Sequence, residues 1–381
     1  MQVVFLIIVL AIVASVWGHF NKPEVESPIA PTNISQTRQA PQKTVSITPS
    51  QTEEPSESSA FSLETFIKYG PLEKEVISDT TQVIFDYSGK VTPEDTPGRI
   101  SYETKLEGYD KEWQPTNSTE RIINLPAGVK DYVFLVRAKI GSIADQTPAA
   151  VHFTLKVSPF FGKLKISGVT APTFSTPSLI TLYSRLGNNE KIDITGWKIA
   201  GKNGTTTIPQ GIEKYDSMNP TKKEGVFLKP SDKIIISSNS SPILDVNFRP
   251  NKCLGYLDDG FRHFTIPISK NCPRPVANRL PRYLSSACQL YINSRSQCES
   301  MNGNKLKSFG VEGDSACIAY IQATFTYPAC FVEYSQDSNF TINEWHIYTN
   351  RFQFQREILA EKHDTVYLLD GDNLIIDKFL Y

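Results

Sequence analysis

Asp131-Tyr132-Val133-Phe134-Leu135-Val136-Arg137-Ala138-Lys139 is the stretch that decides the fold. Side chains alternate across a β-strand with a period of two, so Tyr132, Phe134, Val136 and Ala138 share one apolar face. The residues around it repeat the pattern. Ile100 to Leu106 and Val151 to Val157 alternate in the same way, and Thr81 to Tyr87 is apolar, β-branched and aromatic. Leu125-Pro126-Ala127-Gly128 supplies turn chemistry between strands. With no helical period in this region, residues 72–158 are expected to form a small antiparallel β-sandwich.

Further along, 162–381 reads as a second β unit. Lys163 to Val169, Ile180 to Ser184, Ile192 to Ile199 and Val226 to Ile236 are successive strand signals. Asp364 to Asp377 reads as two strands around an Asp370-Gly371 turn. Between Ile236 and that hairpin lies an insertion, 245–349, holding all six cysteines: Cys253, Cys272, Cys288, Cys298, Cys317 and Cys330. A Cys-x-x-Tyr pattern recurs at Cys253, Cys288 and Cys317. An even count favours three disulfides, which permit 15 pairings. Chain order suggests Cys288 with Cys298 in a short loop. Metal binding is the weaker reading, since zinc ligands usually come in close Cys or His pairs and none occurs here.

Toward the N-terminus, 1–20 is an uncharged apolar segment from Val3 to Trp17 with polar residues beyond it. As a helix it would span roughly 22 Å, against ~30 Å of bilayer hydrocarbon. It reads as an export segment retained as a membrane anchor, with a cleaved signal as the alternative. Residues 21–60 are rich in Pro, Ser, Thr, Gln and Glu and read as a disordered stalk. Lys plus Arg number 39 against 40 Asp plus Glu, so there is no basic footprint for nucleic acid.

Chemistry is hard to find. The five histidines, His19, His152, His263, His346 and His363, are isolated, and there is no nucleophile elbow, phosphate loop or His-Glu-x-x-His helix. Asp370-Gly371-Asp372 reads as a hairpin turn rather than a calcium loop. No cofactor, metal or catalytic residue is expected.

Two resemblances rest on these residues. Leu106-Glu107-Gly108-Tyr109-Asp110 with Trp113, then Asn124 to Gly128, then Tyr132 to Ala138, resembles the fibronectin-like Y_Y_Y domain, which implies that Tyr109, Trp113 and Tyr132 are core and corner residues. The opening strand at Leu164, Asp193-Ile194-Thr195-Gly196-Trp197, Leu228-Lys229-Pro230 before Ile234, and Val366 to Tyr381 together resemble the lamin-tail domain, an immunoglobulin-like fold. The whole arrangement, including Glu344-Trp345-His346-Ile347-Tyr348, is similar to membrane-tethered lamin-tail proteins of candidate phyla radiation bacteria. An all-β chain of two tandem immunoglobulin- or fibronectin-like sandwiches is therefore expected. It would be held at the cell surface through the N-terminal helix, in a structural or adhesive role toward a protein or glycan partner. The alternative is an extracellular hydrolase or an accessory module of one. Loops on a rigid scaffold are where binding usually resides, so the insertion is the expected contact region, with Tyr256, Phe261 and Phe264 as candidate contacts.

Overall fold

The computed structural model describes residues 61–220, 222–258, 262, 264–274, 280–352 and 357–381. The expected anchor at 1–20 and stalk at 21–60 lie outside the described residues, as do Phe261 and His263.

In the first sandwich the strands are β1 Ser62–Tyr69, β2 Glu75–Ile77, β3 Gln82–Thr92, β4 Ser101–Glu107, β5 Gln114–Thr116, β6 Glu120–Asn124, β7 Val129–Ile140, β8 Ile143–Ala144 and β9 Ala149–Lys156. One sheet runs β1-β3-β6 and faces β2-β9-β7-β4-β5, with β8 added to β7. The alternation that marked β7 sends Tyr132, Phe134, Val136 and Ala138 into the core. There the Phe134 ring stacks on Phe85 from the opposite sheet, with centroids 3.7 Å apart. Burying aromatic rings between two sheets is the main stabilising contribution here, on the order of 2–3 kcal/mol for each. The sheets approach closely at Gly89, where a Cβ would lie 2.8 Å from that of Ala138. The edge strand β1, which sequence reasoning left outside the domain, is pinned by Thr65. Its hydroxyl donates to Asp145 at 2.7 Å and accepts from the Ala138 N–H at 2.8 Å.

The second sandwich contains β10 Leu164–Thr170, β11 Leu179–Ser184, β12 Ile192–Asp193, β13 Lys198–Gly201, β14 Gly204–Thr207, β15 Gly211–Ile212, β16 Phe227–Leu228, β17 Lys233–Ser237, β18 Asn247–Phe248, β19 Glu344–Tyr348, β20 Thr365–Leu369 and β21 Ile375–Leu380. The sheet β10-β11-β17-β19-β18-β15 packs on β14-β13-β20-β21. Their shared core includes Leu182, Ile234, Trp345, Ile347, Ile199, Leu368 and Ile376. The strand expected from Ile192 to Ile199 is in fact broken between β12 and β13. Asp193 accepts the Thr195 N–H at 2.9 Å and Gly196 adopts a φ of 84°, a turn that bends the chain before Trp197. The β20–β21 hairpin forms as expected, with the Asp370 carboxylate accepting the N–H groups of Asp372 and Leu374 at 2.9 Å.

The expectation of an all-β chain needs correction. The insertion carries four helices: α1 Ser286–Ser294, α2 Gly303–Ser308, α3 Ser315–Thr324 and α4 Tyr327–Tyr334, after a 3-10 turn at Leu254–Leu257. Each helix begins at a side-chain cap. Ser285, Asn302, Asp314 and Thr326 accept the N–H of Cys288, Lys305, Cys317 and Ala329, which satisfies one of the donors a helix start leaves open. Helices this short are marginal by themselves, so packing and cross-links must hold them.

Two phenylalanines join the sandwiches. Phe160 packs on the second core, its ring 5.2 Å from Trp197, while Phe161 packs on the first. Around them the Ser158 and Gly162 N–H groups donate to the Ile375 and Ile376 carbonyls at 3.2 and 3.1 Å.

Candidate binding surface: the disulfide-linked insertion

Strand β19 explains how the insertion is held. Trp345 and Ile347 point into the sandwich, while His346 and Tyr348 point the other way, and all four are buried. The covering layer is the insertion itself. Ile212, Phe248 and Tyr348 from the sheet, with Tyr215 from the loop after β15, pack with Cys253, Leu254, Ile266, Tyr327, Cys330 and Phe340 in one apolar cluster. A second cluster, among them Cys288, Tyr291, Cys317 and Ile321, is internal to the helices. The insertion is thus a layer with its own core, and strands β18 and β19 within 245–349 are hydrogen-bonded into the sheet.

All six cysteines are in disulfides: Cys253–Cys330, Cys272–Cys298 and Cys288–Cys317. The expected Cys288–Cys298 bridge is corrected. Cys288 lies in the first turn of α1 and faces Cys317 in the first turn of α3, whereas Cys298 follows α1 in a turn with a φ of 60°. The rise of ~1.5 Å per residue along α1 carries the chain away from Cys288 before Cys298 is reached. Gly255 sits against the Cys272–Cys298 pair, where a Cβ would fall 2.3 Å from the Cys298 sulfur.

Of the aromatic candidates, Tyr256 is partly buried and touches both insertion clusters, and burial raises its phenol above the ordinary range. Phe264 is partly buried against the sheet-facing cluster. Both therefore contribute to packing. Tyr109, expected in the core or corner of the first sandwich, is exposed. Tyr132 is buried, and Trp113 lies under the Arg137 guanidinium at 4.4 Å.

Buried charge concentrates at the seam between sheet and insertion. Arg249 grips Asp232 through both terminal nitrogens, at 3.1 and 2.6 Å, and also donates to the carbonyls of Phe227 and Ile342 at 3.2 Å. The charges are nearly inaccessible and paired through both terminal nitrogens, with Nε left without a hydrogen bond 3.9 Å from Glu213, which is the arrangement of a structural lock. His346 bonds through Nε2 to Glu344 at 2.7 Å, and Lys233 completes the group at 3.1 Å from Glu344. Burial holds the imidazole below its usual range against the opposing pull of Glu344. In the neutral ring Nε2 carries the proton and donates to the carboxylate, leaving the Nδ1 lone pair toward the apolar layer. Within the helices, Arg295 is buried with its guanidinium 3.7 Å from the Phe325 ring centroid. Among the described residues no group of three or more His, Cys, Asp or Glu side chains is placed to hold a metal. Among the same residues no helix is long and apolar enough to cross a membrane.

The Y_Y_Y domain model matches residues 93–156, a span that runs from just before β4 to the end of β9. No curated protein matches the chain. Among solved structures, the extracellular domain of a hybrid two-component system from B. thetaiotaomicron is similar at 16% identity and a TM-score of 0.18, covering 23% of this chain and 12% of that one. A two-domain fibronectin type III segment of chicken tenascin is similar at 14% identity and a TM-score of 0.21, covering 44% and 91%. A Bacillus thuringiensis chitinase is similar at 15% identity and a TM-score of 0.17, covering 44% and 25%. Likeness at this level says nothing about ligand or activity. The sheets themselves identify the chain as predominantly β, with fibronectin-like and immunoglobulin-like sandwich architecture, a Y_Y_Y match in the first sandwich and three disulfides in the second.

Proposed function

We propose that this is an exported, non-catalytic surface protein, tethered to the membrane through 1–20 and lifted by 21–60, that presents two β-sandwich modules to a protein or glycan partner. The second module is of the lamin-tail type, and the arrangement is that of surface proteins from candidate phyla radiation bacteria. The observation that carries the reading is the complete pairing of six cysteines in one helical layer. Such pairing persists in oxidising compartments and is rare in the cytosol. Helices as short as these are marginal by themselves, and α1, α3 and α4 each carry a bridged cysteine. The adjacent sandwich has the features of a scaffold: continuous sheets, an apolar core and ionic groups engaged with one another.

The test is fractionation of cells expressing the full chain, combined with maleimide labelling of denatured protein before and after reduction. The expected result is a membrane-associated protein with no thiol labelled until reductant is added. A soluble cytosolic protein whose thiols label without reduction would overturn the proposal.

A further inference from the structure

Away from the disulfide-linked layer, the second sandwich contains a cavity of about 300 Å³ lined by Pro172, Thr173, Asn203, Glu357, Leu359 and Glu361. This volume is at the lower end of the ~300–1,000 Å³ usual for small-ligand sites. We propose that it is a saccharide-binding site, with Phe174 as its stacking platform. The proposal goes beyond the surface-module reading and does not depend on where the chain is held.

Its walls are fixed before any ligand arrives. Asp364, almost fully buried, accepts the Lys202 N–H through both oxygens, at 3.0 and 3.1 Å, and the Ala360 N–H at 2.9 Å. The Asn203 N–H donates to the Ile358 carbonyl and its side-chain amide donates to the Leu359 carbonyl. Tyr381 braces the same segment by donating its hydroxyl to the Ala360 carbonyl at 2.6 Å. Gly201 permits this approach, since a Cβ there would lie 2.6 Å from the Ile358 carbonyl oxygen. Walls locked in this way lose little conformational freedom when a ligand binds.

The chemistry left open inside is acceptor chemistry. Glu357 already receives the Ser178 N–H and the hydroxyls of Ser178 and Ser238. Glu361 is exposed and makes no hydrogen bond or ion pair among the described residues, and the Asn203 side-chain oxygen likewise accepts none. A ligand that suits the site carries several closely spaced O–H donors and no anionic group, because two carboxylates and, among the described residues, no cation line the cavity.

At the rim, Thr173 and Thr176 close a tight turn through a backbone bond of 2.9 Å and a hydroxyl contact of 2.6 Å. Phe174 stands on that turn, directly after a lining residue and fully exposed. An exposed apolar side chain is ordinary by itself. Here it is held out by a braced turn next to a cavity of unfilled acceptors. A pyranose offers the matching pair of surfaces, a C–H face for the ring and a fringe of hydroxyls for Glu361 and Asn203.

Saturation-transfer NMR on the purified, oxidised full chain tests the site, with cellotetraose, chitotetraose and mannotetraose as probes. At least one should bind with a Kd on the order of 1 mM. Phe174→Ala should weaken that binding at least about tenfold, and Glu361→Gln by ~3- to 10-fold. Neither side chain contributes to packing, so both variants should keep the wild-type melting temperature. No transfer from any of the three probes at ~5 mM would overturn the proposal, as would binding that both variants leave unchanged. Preference for tetralysine over all three sugars, abolished by Glu361→Gln and indifferent to Phe174→Ala, would replace it with a cationic-peptide site.

Discussion

His346 is a titratable ring in the middle of a sheet, buried by β19's apolar neighbours on one side and by the insertion on the other. Its folded-state pKa lies below the ordinary imidazole value of ~6.5, chiefly because burial disfavours the charged ring. The folded chain therefore binds fewer protons at this site than the unfolded chain. The stability it contributes is complete above about pH 6.5 and declines as the pH falls through 6.5 toward the folded value, by at most about 1.4 kcal/mol per pH unit. Burial also raises the Glu344 carboxyl, but bonds from His346 and Lys233 outweigh it and leave that group below its ordinary range, so its own loss comes at more acid pH. Urea unfolding at pH 7.5 and 5.5 should show wild-type stability falling with acid and His346→Gln, which keeps a donor for Glu344, falling less. Equal slopes in the two proteins would contradict this account. Nothing in Trp345-His346-Ile347 marked the ring as buried, because a strand with one solvated face has the same alternation. Only the covering layer makes the difference.

Among the elements, the sandwich strands were legible because period-two alternation survives wherever one face is buried, as in β3, β4, β7 and β9. Short strands such as β15 and β18 were not, since two residues carry no period. The helices of the insertion did leave a trace. Cys288-x-x-Tyr291 and Cys317-x-x-Tyr320 have the spacing of one helix face, and Ser285, Asn302, Asp314 and Thr326 stand where N-caps belong. With the pattern read as a cysteine spacing alone, that trace was missed, and so was the pairing that places the first turns of α1 and α3 together. Replacing Cys288 and Cys317 by alanine opens a link between residues 29 apart and should destabilise the helical layer by ~2–4 kcal/mol. Hydrogen exchange should then speed up in α1 and α3 while β17 and β19 stay protected. Unchanged exchange in both helices would show that packing alone holds them.

At the scale of the whole chain, two cores are joined through one short segment. Phe160 and Phe161, adjacent in sequence, face opposite sandwiches, and the flanking backbone bonds to β21 are few. The Lys378–Asp79 ion pair across the junction is about half exposed and adds little. Phe160→Ala should lower the stability of the second sandwich by roughly 1–3 kcal/mol with the first unaffected. Combined with Phe161→Ala, it should let the two halves tumble independently, seen as divergent alignment tensors in residual dipolar couplings. A single shared tensor in the double variant would mean that the orientation is set elsewhere. The opposite destinations of the two adjacent rings were not legible in the sequence, because they depend on where each core lies.

The parallel pairing of β17 with β19 also imposes an order in time. Residues 233–237 emerge from the ribosome long before their partners at 344–348. Until then the inner sheet has an open edge, and contacts so distant along the chain form slowly. On the export route proposed above, the nascent protein carries this adhesive edge through an oxidising space while its thiols are still unpaired. Its biogenesis is therefore most vulnerable to mispairing in the interval between the arrival of Cys253 and the arrival of Tyr348, and a folding helper would be most effective there.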